Sequence, residues 1–291
     1  MKAIYKREMG AYFNTMQGYV YLALYVCFTA VFFCVSCVAN GYNNYSVYVL
    51  SNFYYMMFAF ALMIPILTMR MFAEEKKHKT DQLLLTSPVP IWKIVLGKYL
   101  AGVTVFTIGL AMTVLFPVII IFNGGFQIGI YEMGYSSFFL CGITYMAIGT
   151  LVSSLVAEPI LALIITAVAI LLDLFSQVWV GLLPSGVVPT FIFFGLIIVG
   201  VAVMFYIDTR KWQVSAIVTV AGAAIVTVLY FLFKEWFVYG LKNTMSWLSI
   251  EHRYENFLNG IFDIASMVYL VTLTGVLLFM TGQVIARRRW K

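Results

Sequence analysis

The chain is expected to fold as an all-α polytopic membrane protein of about eight transmembrane helices, with both termini cytoplasmic. Three observations predict this. The composition is 63% hydrophobic and only 10% charged, with a mean hydropathy of +0.96, whereas an average soluble domain is roughly 25% charged. A single water-soluble core cannot hide that much apolar surface, so lipid must solvate much of it. Eight apolar runs approach or exceed the roughly 20 residues needed to cross a hydrocarbon core, and the basic residues fall between them with a strong bias to one side.

The runs are 18–39, 51–69, 95–122, 135–156, 159–180, 188–206, 213–233 and 264–286. Turn-rich breaks end the first run at Asn40-Gly41 and the third at Asn123-Gly124-Gly125. The fourth and fifth are separated by Ala157-Glu158-Pro159, where proline can open a helix at its first turn. Asp208 to Trp212 is a short but strongly charged break between the sixth and seventh. The first run is longer than a signal h-region of about 7–15 residues and Glu8 interrupts its leader, so it is read as a mature helix.

Ahead of the spans, residues 1–17 carry a 3.6-residue rhythm. Tyr5, Met9, Tyr12 and Met16 share one face, and Arg7, Gly10, Asn14 and Gln17 another. With Lys6, Arg7, Glu8 and Phe13, this suits a helix lying in the cytoplasmic interface; a frayed tail is the alternative.

With eight spans and cytoplasmic termini, fifteen of the eighteen Lys and Arg residues lie inside. Only Lys234, Lys242 and Arg253 fall outside, all in the 234–263 loop. That asymmetry is what the positive-inside rule predicts. It also accounts for the net charge of +6 without nucleic acid. The four cysteines sit in apolar segments and form no metal-ligand set; they read as small buried hydrophobes.

No catalytic constellation stands out. Gly97-Lys98 is followed by Tyr99 and lacks a glycine-rich approach, so it is no phosphate loop. No H-E-x-x-H or G-x-S-x-G is present. The clear ionisable residue within a span is Asp173, which is a candidate for ion coupling or for capping a helix break. Energy other than an ion gradient must come from a partner.

The charged segment 70–94 is the candidate contact with that partner. Glu74, Glu75, Lys76 and Lys77 suit a solvated helical extension. Thr80 can cap a new helix start with Asp81 in its first turn, and Leu83, Leu84 and Leu85 form an apolar knob before Pro88. Such a knob buries itself in a partner's groove or packs on the chain's own interfacial helix.

The run Arg70 to Pro88, followed by Ile94-Val-Leu-Gly-Lys98, resembles the ABC-2 family of ABC transporter permeases, most nearly its gliding-motility and nitrous-oxide-reductase-maturation (GldF/NosY-like) branch. Lys6 to Asn14, Gly149-Thr-Leu-Val-Ser-Ser154 and Leu248 to Asp263 extend the match. The pattern departs at Lys79-Thr80 and Gln82, where the family has Gly-Thr and then Glu. The resemblance implies a type V exporter-like transmembrane domain. It implies a permease that pairs with a second copy or paralogue and with two cytosolic ATPases, which bind ATP and Mg in its stead. Residues 70–94 would contain the coupling helix, with Glu74, Glu75, Thr80, Asp81, Gln82 and the three leucines in contact with the ATPase. Residues 1–17 would be the connecting helix, and the location a bacterial plasma membrane. Six spans are the family's common core, which makes 188–233 an extra hairpin. Many Phe, Tyr and Met residues suit an amphipathic or lipid-linked cargo, but they suit lipid-facing surfaces equally.

The aromatic-rich 234–263 loop, with Arg253, Tyr254, Phe257 and Asp263, is read as lying at the outer interface. It serves as a lid, as a docking site for an extracytoplasmic accessory protein, or as a simple seal. The rival functions are an ATPase-driven membrane anchor without solute transport and an ion-coupled transporter using Asp173.

Overall fold

The computed structural model describes residues 1–35, 45–80, 89–122, 128–209, 212–232, 237–258 and 261–289, and all regular secondary structure among them is helical. In chain order the helices are α1 (Lys2–Asn14), α2 (Met16–Phe33), α3 (Tyr45–Thr68), α4 (Ala73–Lys77), α5 (Ile91–Thr113) and α6 (Leu115–Phe122). They continue with α7 (Ile128–Leu155), α8 (Pro159–Leu174), α9 (Ser176–Leu182), α10 (Val187–Thr209) and α11 (Trp212–Leu232). The last three are α12 (Gly240–Leu248), α13 (Ile250–Leu258) and α14 (Ile264–Arg289).

Among the described residues, four helical stretches are long and apolar enough to span a bilayer: Met16–Phe33, Ile91–Phe122, Glu132–Leu155 and Ile264–Arg287. A fifth is added if α8 and α9 together form one broken span. Shorter apolar helical stretches, Tyr55–Thr68, Val187–Gly200 and Thr219–Val228, stand where the second, sixth and seventh runs were expected.

Two boundaries differ from the sequence reading for physical reasons. The third run begins at Ile91, because Pro90 ends the preceding segment in extended backbone and supplies the helix N-cap position. The fifth run is interrupted at Phe175, so Asp173 sits at the end of one helix instead of inside a continuous span.

Two compact units emerge: residues 1–174 with 253–291, and residues 175–252. In the first, α7 is the central helix and packs against α3, α5, α8 and α14. Helices in lipid gain little from the hydrophobic effect, so close packing and interhelical hydrogen bonds hold them together. Phe60 of α3 supplies that packing, with ring centroids 4.4 Å from Phe138, 5.8 Å from Phe106 and 5.9 Å from Tyr145. All four rings are fully buried, and each such pair adds about 0.5–1.5 kcal/mol beyond area burial. Gly149 lets α7 approach α3 so closely that an added Cβ would collide with Thr68. Across the other face of α7, the Thr144 and Thr274 hydroxyls meet at 3.0 Å and tie it to α14.

In the second unit α10 packs along α11. Phe191 stacks on Phe237 and Tyr230 at 4.9 and 5.3 Å. Gly186, with φ of +153°, occupies backbone space that favours glycine, and its N–H donates to Val238 O at 2.9 Å. Ser176 and Ser249 share a 2.7 Å hydrogen bond.

Candidate functional site

The charged segment after α3 is held by groups from four other parts of the first unit. The last-turn carbonyls of α3 have no partner within their own helix. Tyr12 of α1 donates to Leu67 O at 2.9 Å and Gln17 donates to Ile66 O at 2.8 Å. Burial first, and then the nearby charge of Glu8, push the Tyr12 phenol above its ordinary pKa, so it remains a neutral donor.

The chain then turns through 69–72 into the short helix α4. Ser153 of α7 organises this turn with one fully buried hydroxyl. Its Oγ accepts the Phe72 and Ala73 N–H groups at 3.0 and 3.1 Å and donates to Met69 O at 3.2 Å. Two N-terminal donors of α4 are thereby satisfied from another helix, the service an N-cap residue performs locally. Lys76 returns the favour by donating to Ser154 O and, at 3.3 Å, to Val156 O at the end of α7. A cation at a helix C-terminus also complements its dipole. Lys77 pairs with Glu158 at 2.8 Å, with both side chains about half exposed.

The centre of the site is a closed ring of alternating charge. Glu8 Oε1 on α1 and Glu75 Oε1 on α4 each contact Lys98 Nζ on α5, at 3.0 and 2.9 Å. The same two oxygens each contact Arg7 Nη2, at 2.7 and 2.9 Å. Lys98 is 2% exposed and its ammonium lies 5.4 Å from the Phe72 ring centroid. Burial works against the Arg7 charge, but Glu8 and then Glu75 outweigh it, so its pKa lies above its ordinary value. Two cations and two anions cancel, and the ring joins α1, the charged segment and the long apolar helix α5. Removing Lys98, the buried member, costs about 3 kcal/mol, because both carboxylates lose their desolvated partner.

Close backbone packing supports the ring. Ile4 of α1 sits against Gly97, leaving little room for a larger side chain there, and Tyr5 Oη lies 2.9 Å from Thr104 Oγ1. The segment expected as one helix over 1–17 is helical as α1, which ends at Asn14 and packs on α5, while Met16 and Gln17 already belong to α2.

Of the residues singled out in the sequence, Arg7, Glu8, Tyr12 and Glu75 converge here, while Lys6 is exposed and Phe13 packs edge-on with Tyr19 at 5.7 Å. Glu74 is partly exposed at the start of α4. The Thr80 hydroxyl bonds back to Glu75 O at 3.2 Å, following Lys79 at φ +56°, and so closes α4. Asp81, Gln82, Leu83, Leu84 and Leu85 lie outside the described residues. Arg253 stacks its guanidinium 5.0 Å from the Tyr269 ring centroid, and Tyr254 and Phe257 are buried. Asp263 is the N-cap of α14, with Oδ1 accepting the Ala265 and Ser266 N–H groups at 3.0 and 3.4 Å.

Lys98 and Ser153 carry the site, yet the sequence assigned them no role. In the sequence Lys98 is an orientation charge, a lysine that fits no phosphate loop and the end of the Ile94-Val-Leu-Gly-Lys98 resemblance. The available signal was a lysine seven residues into an apolar helix, where an ionisable group calls for a partner.

These features define a polytopic helical membrane protein with a charged segment clamped to its spanning helices. The sequence pattern of the ABC-2 family transporter proteins matches residues 42–287. The chain belongs to that family, which marks it as a transporter membrane subunit. No curated protein matches it significantly.

Proposed function

We propose that this chain is the permease of an ATP-driven transporter, and that residues 73–85 receive the stroke of a separate cytosolic ABC ATPase. Family membership supports the permease role and the ATPase partner. The observation that carries the coupling assignment is the Glu8–Lys98–Glu75–Arg7 ring. It joins the charged segment to a spanning helix through buried charge, so a push on α4 moves α1 and α5 together. Beyond α4, residues 77–80 are exposed and available to a partner.

In this reading two ATPases bind a pair of permeases at a bacterial plasma membrane, with α1 on the cytoplasmic side. ATP and Mg are held by the ATPases. A place in the gliding-motility branch rests on the quoted sequence resemblance. The test is co-purification of the tagged chain from native membranes, followed by an ATPase assay. A cytosolic ABC ATPase should accompany the chain and be lost on Leu84→Asp, while the variant remains monodisperse. Retention of the ATPase and of its activity by that variant would remove residues 83–85 from the docking surface.

A further inference from the structure

A second charged cluster lies at the C-terminal end of α8, within the first unit. Asp173 Oδ2 accepts the Tyr145 hydroxyl at 2.7 Å. The Arg253 guanidinium lies over the Tyr269 ring at 5.0 Å, and Thr144, next to Tyr145, donates to Leu270 O, next to Tyr269, at 3.4 Å. Cys141, one turn before Tyr145 on α7, is fully buried, and Tyr254 follows Arg253 on α13. Tyr254 is 2% exposed, and its hydroxyl has no hydrogen-bond partner among the described residues. Asp173 and Tyr269 are themselves only partly buried. The outward residues of the same helix, Leu171 and Leu172, are exposed and apolar.

A carboxylate beside a break in an apolar helix pair is costly to desolvate, so it must answer a positive charge or a water-lined space. Aromatic faces and a carboxylate together are the chemistry that recognises an organic cation, because ring quadrupole and full charge attract the same ligand. This cluster already holds one such cation, the Arg253 guanidinium. An anion would meet the Asp173 charge instead. Tyr254 adds a buried hydroxyl not committed to any described neighbour, an arrangement that a purely structural clasp leaves unexplained.

We propose that Asp173, Tyr145, Tyr254 and Tyr269 form a binding site for a membrane-soluble organic cation, and that Arg253 is a resident cation which the ligand displaces. The ligand enters along the apolar face of α8. Asp173 supplies the counter-charge, Tyr145 orients that carboxylate, and the Tyr269 ring supplies the face that Arg253 gives up. The site lies apart from the Lys98 ring and requires no ATPase, so its test is independent of the coupling assignment.

The experiment is binding of tritiated tetraphenylphosphonium to the purified full chain in phosphatidylcholine nanodiscs, read as the component displaced by excess unlabelled probe. Saturable binding is expected, weakened at least tenfold by Asp173→Asn and at least threefold by Tyr269→Leu. Arg253→Gln should tighten it at least threefold, since it removes the competing cation. This opposite sign is what a structural clasp does not produce, because there both members of the pair lose together. No displaceable binding in the wild-type chain, or weaker binding in Arg253→Gln, would overturn the proposal. If Asp173→Asn fails to fold, the opposed effects of Arg253→Gln and Tyr269→Leu decide the question by themselves.

Discussion

The ring at Lys98 and the cluster at Asp173 both set ionisable groups among apolar helices, but they manage the charge in opposite ways. In the ring each carboxylate oxygen meets two cations within 3.0 Å. In the cluster at Asp173 the Tyr145 phenol donates to the carboxylate, and the Arg253 cation lies over the Tyr269 ring. A lattice of direct ion pairs makes a rigid joint, because moving any one member exposes another. Aromatic faces hold a cation without directional bonds, so one cation can replace another there. Stiffness for transmission and softness for exchange therefore come from different partners of the same charged groups.

The largest expected effect is at the joint. Lys98→Met should lower stability by about 3 kcal/mol, because Glu8 and Glu75 then face each other with only the half-exposed Arg7 between them, seen as a drop in the thermal midpoint of the purified chain. Adding Glu75→Gln should restore part of that loss, since it removes one of the two carboxylates left sharing Arg7. A double variant no better than the single would show that the ring is not the source.

Next comes Ser153→Ala, which leaves the Phe72 and Ala73 N–H groups without their acceptor. A loss of about 1–2 kcal/mol is expected. Amide exchange over 69–77 should accelerate while the rest of α7 keeps its protection. Uniform acceleration along α7 would instead mean that the serine serves general packing.

Thr274→Val tests an uncharged tie between α7 and α14 and should cost about 0.6 kcal/mol, the average for interhelical hydrogen bonds in membranes. Smallest of all is Lys77→Ala, which breaks an exposed pair with Glu158 and should change stability by less than about 0.5 kcal/mol. A thermal shift rivalling that of Lys98→Met would mean that exposure is a poor guide to charge energetics in this segment.

Much of the architecture is legible in the chain itself. Spans at 18–39, 95–122, 135–156 and 264–286 have counterparts in α2, α5 with α6, α7 and α14, because a long apolar run has few alternatives to a lipid-solvated helix. The N-terminal helix is legible as well, through the spacing of Tyr5, Met9 and Tyr12. The break at Phe175 is legible only as an alternative, since Asp173 reads as a candidate cap of a helix break while 159–180 reads as one apolar run. The role of Asp263 was also hidden: the residue read as part of an outer loop is the cap of the last helix.

The sequence by itself determined the membrane class, the helical spans and the charged segment, because composition and local periodicity decide how a stretch of backbone meets lipid or water. Only the tertiary structure decided that Glu8, Glu75 and Lys98 share one ring, and that Ser153 starts a helix 80 residues before it. Partners separated by 90 and 23 residues leave no periodic trace in the chain. Their meeting depends on which helices pack together, and in lipid that choice rests on the fit of small and aromatic side chains such as Gly97, Gly149 and Phe60.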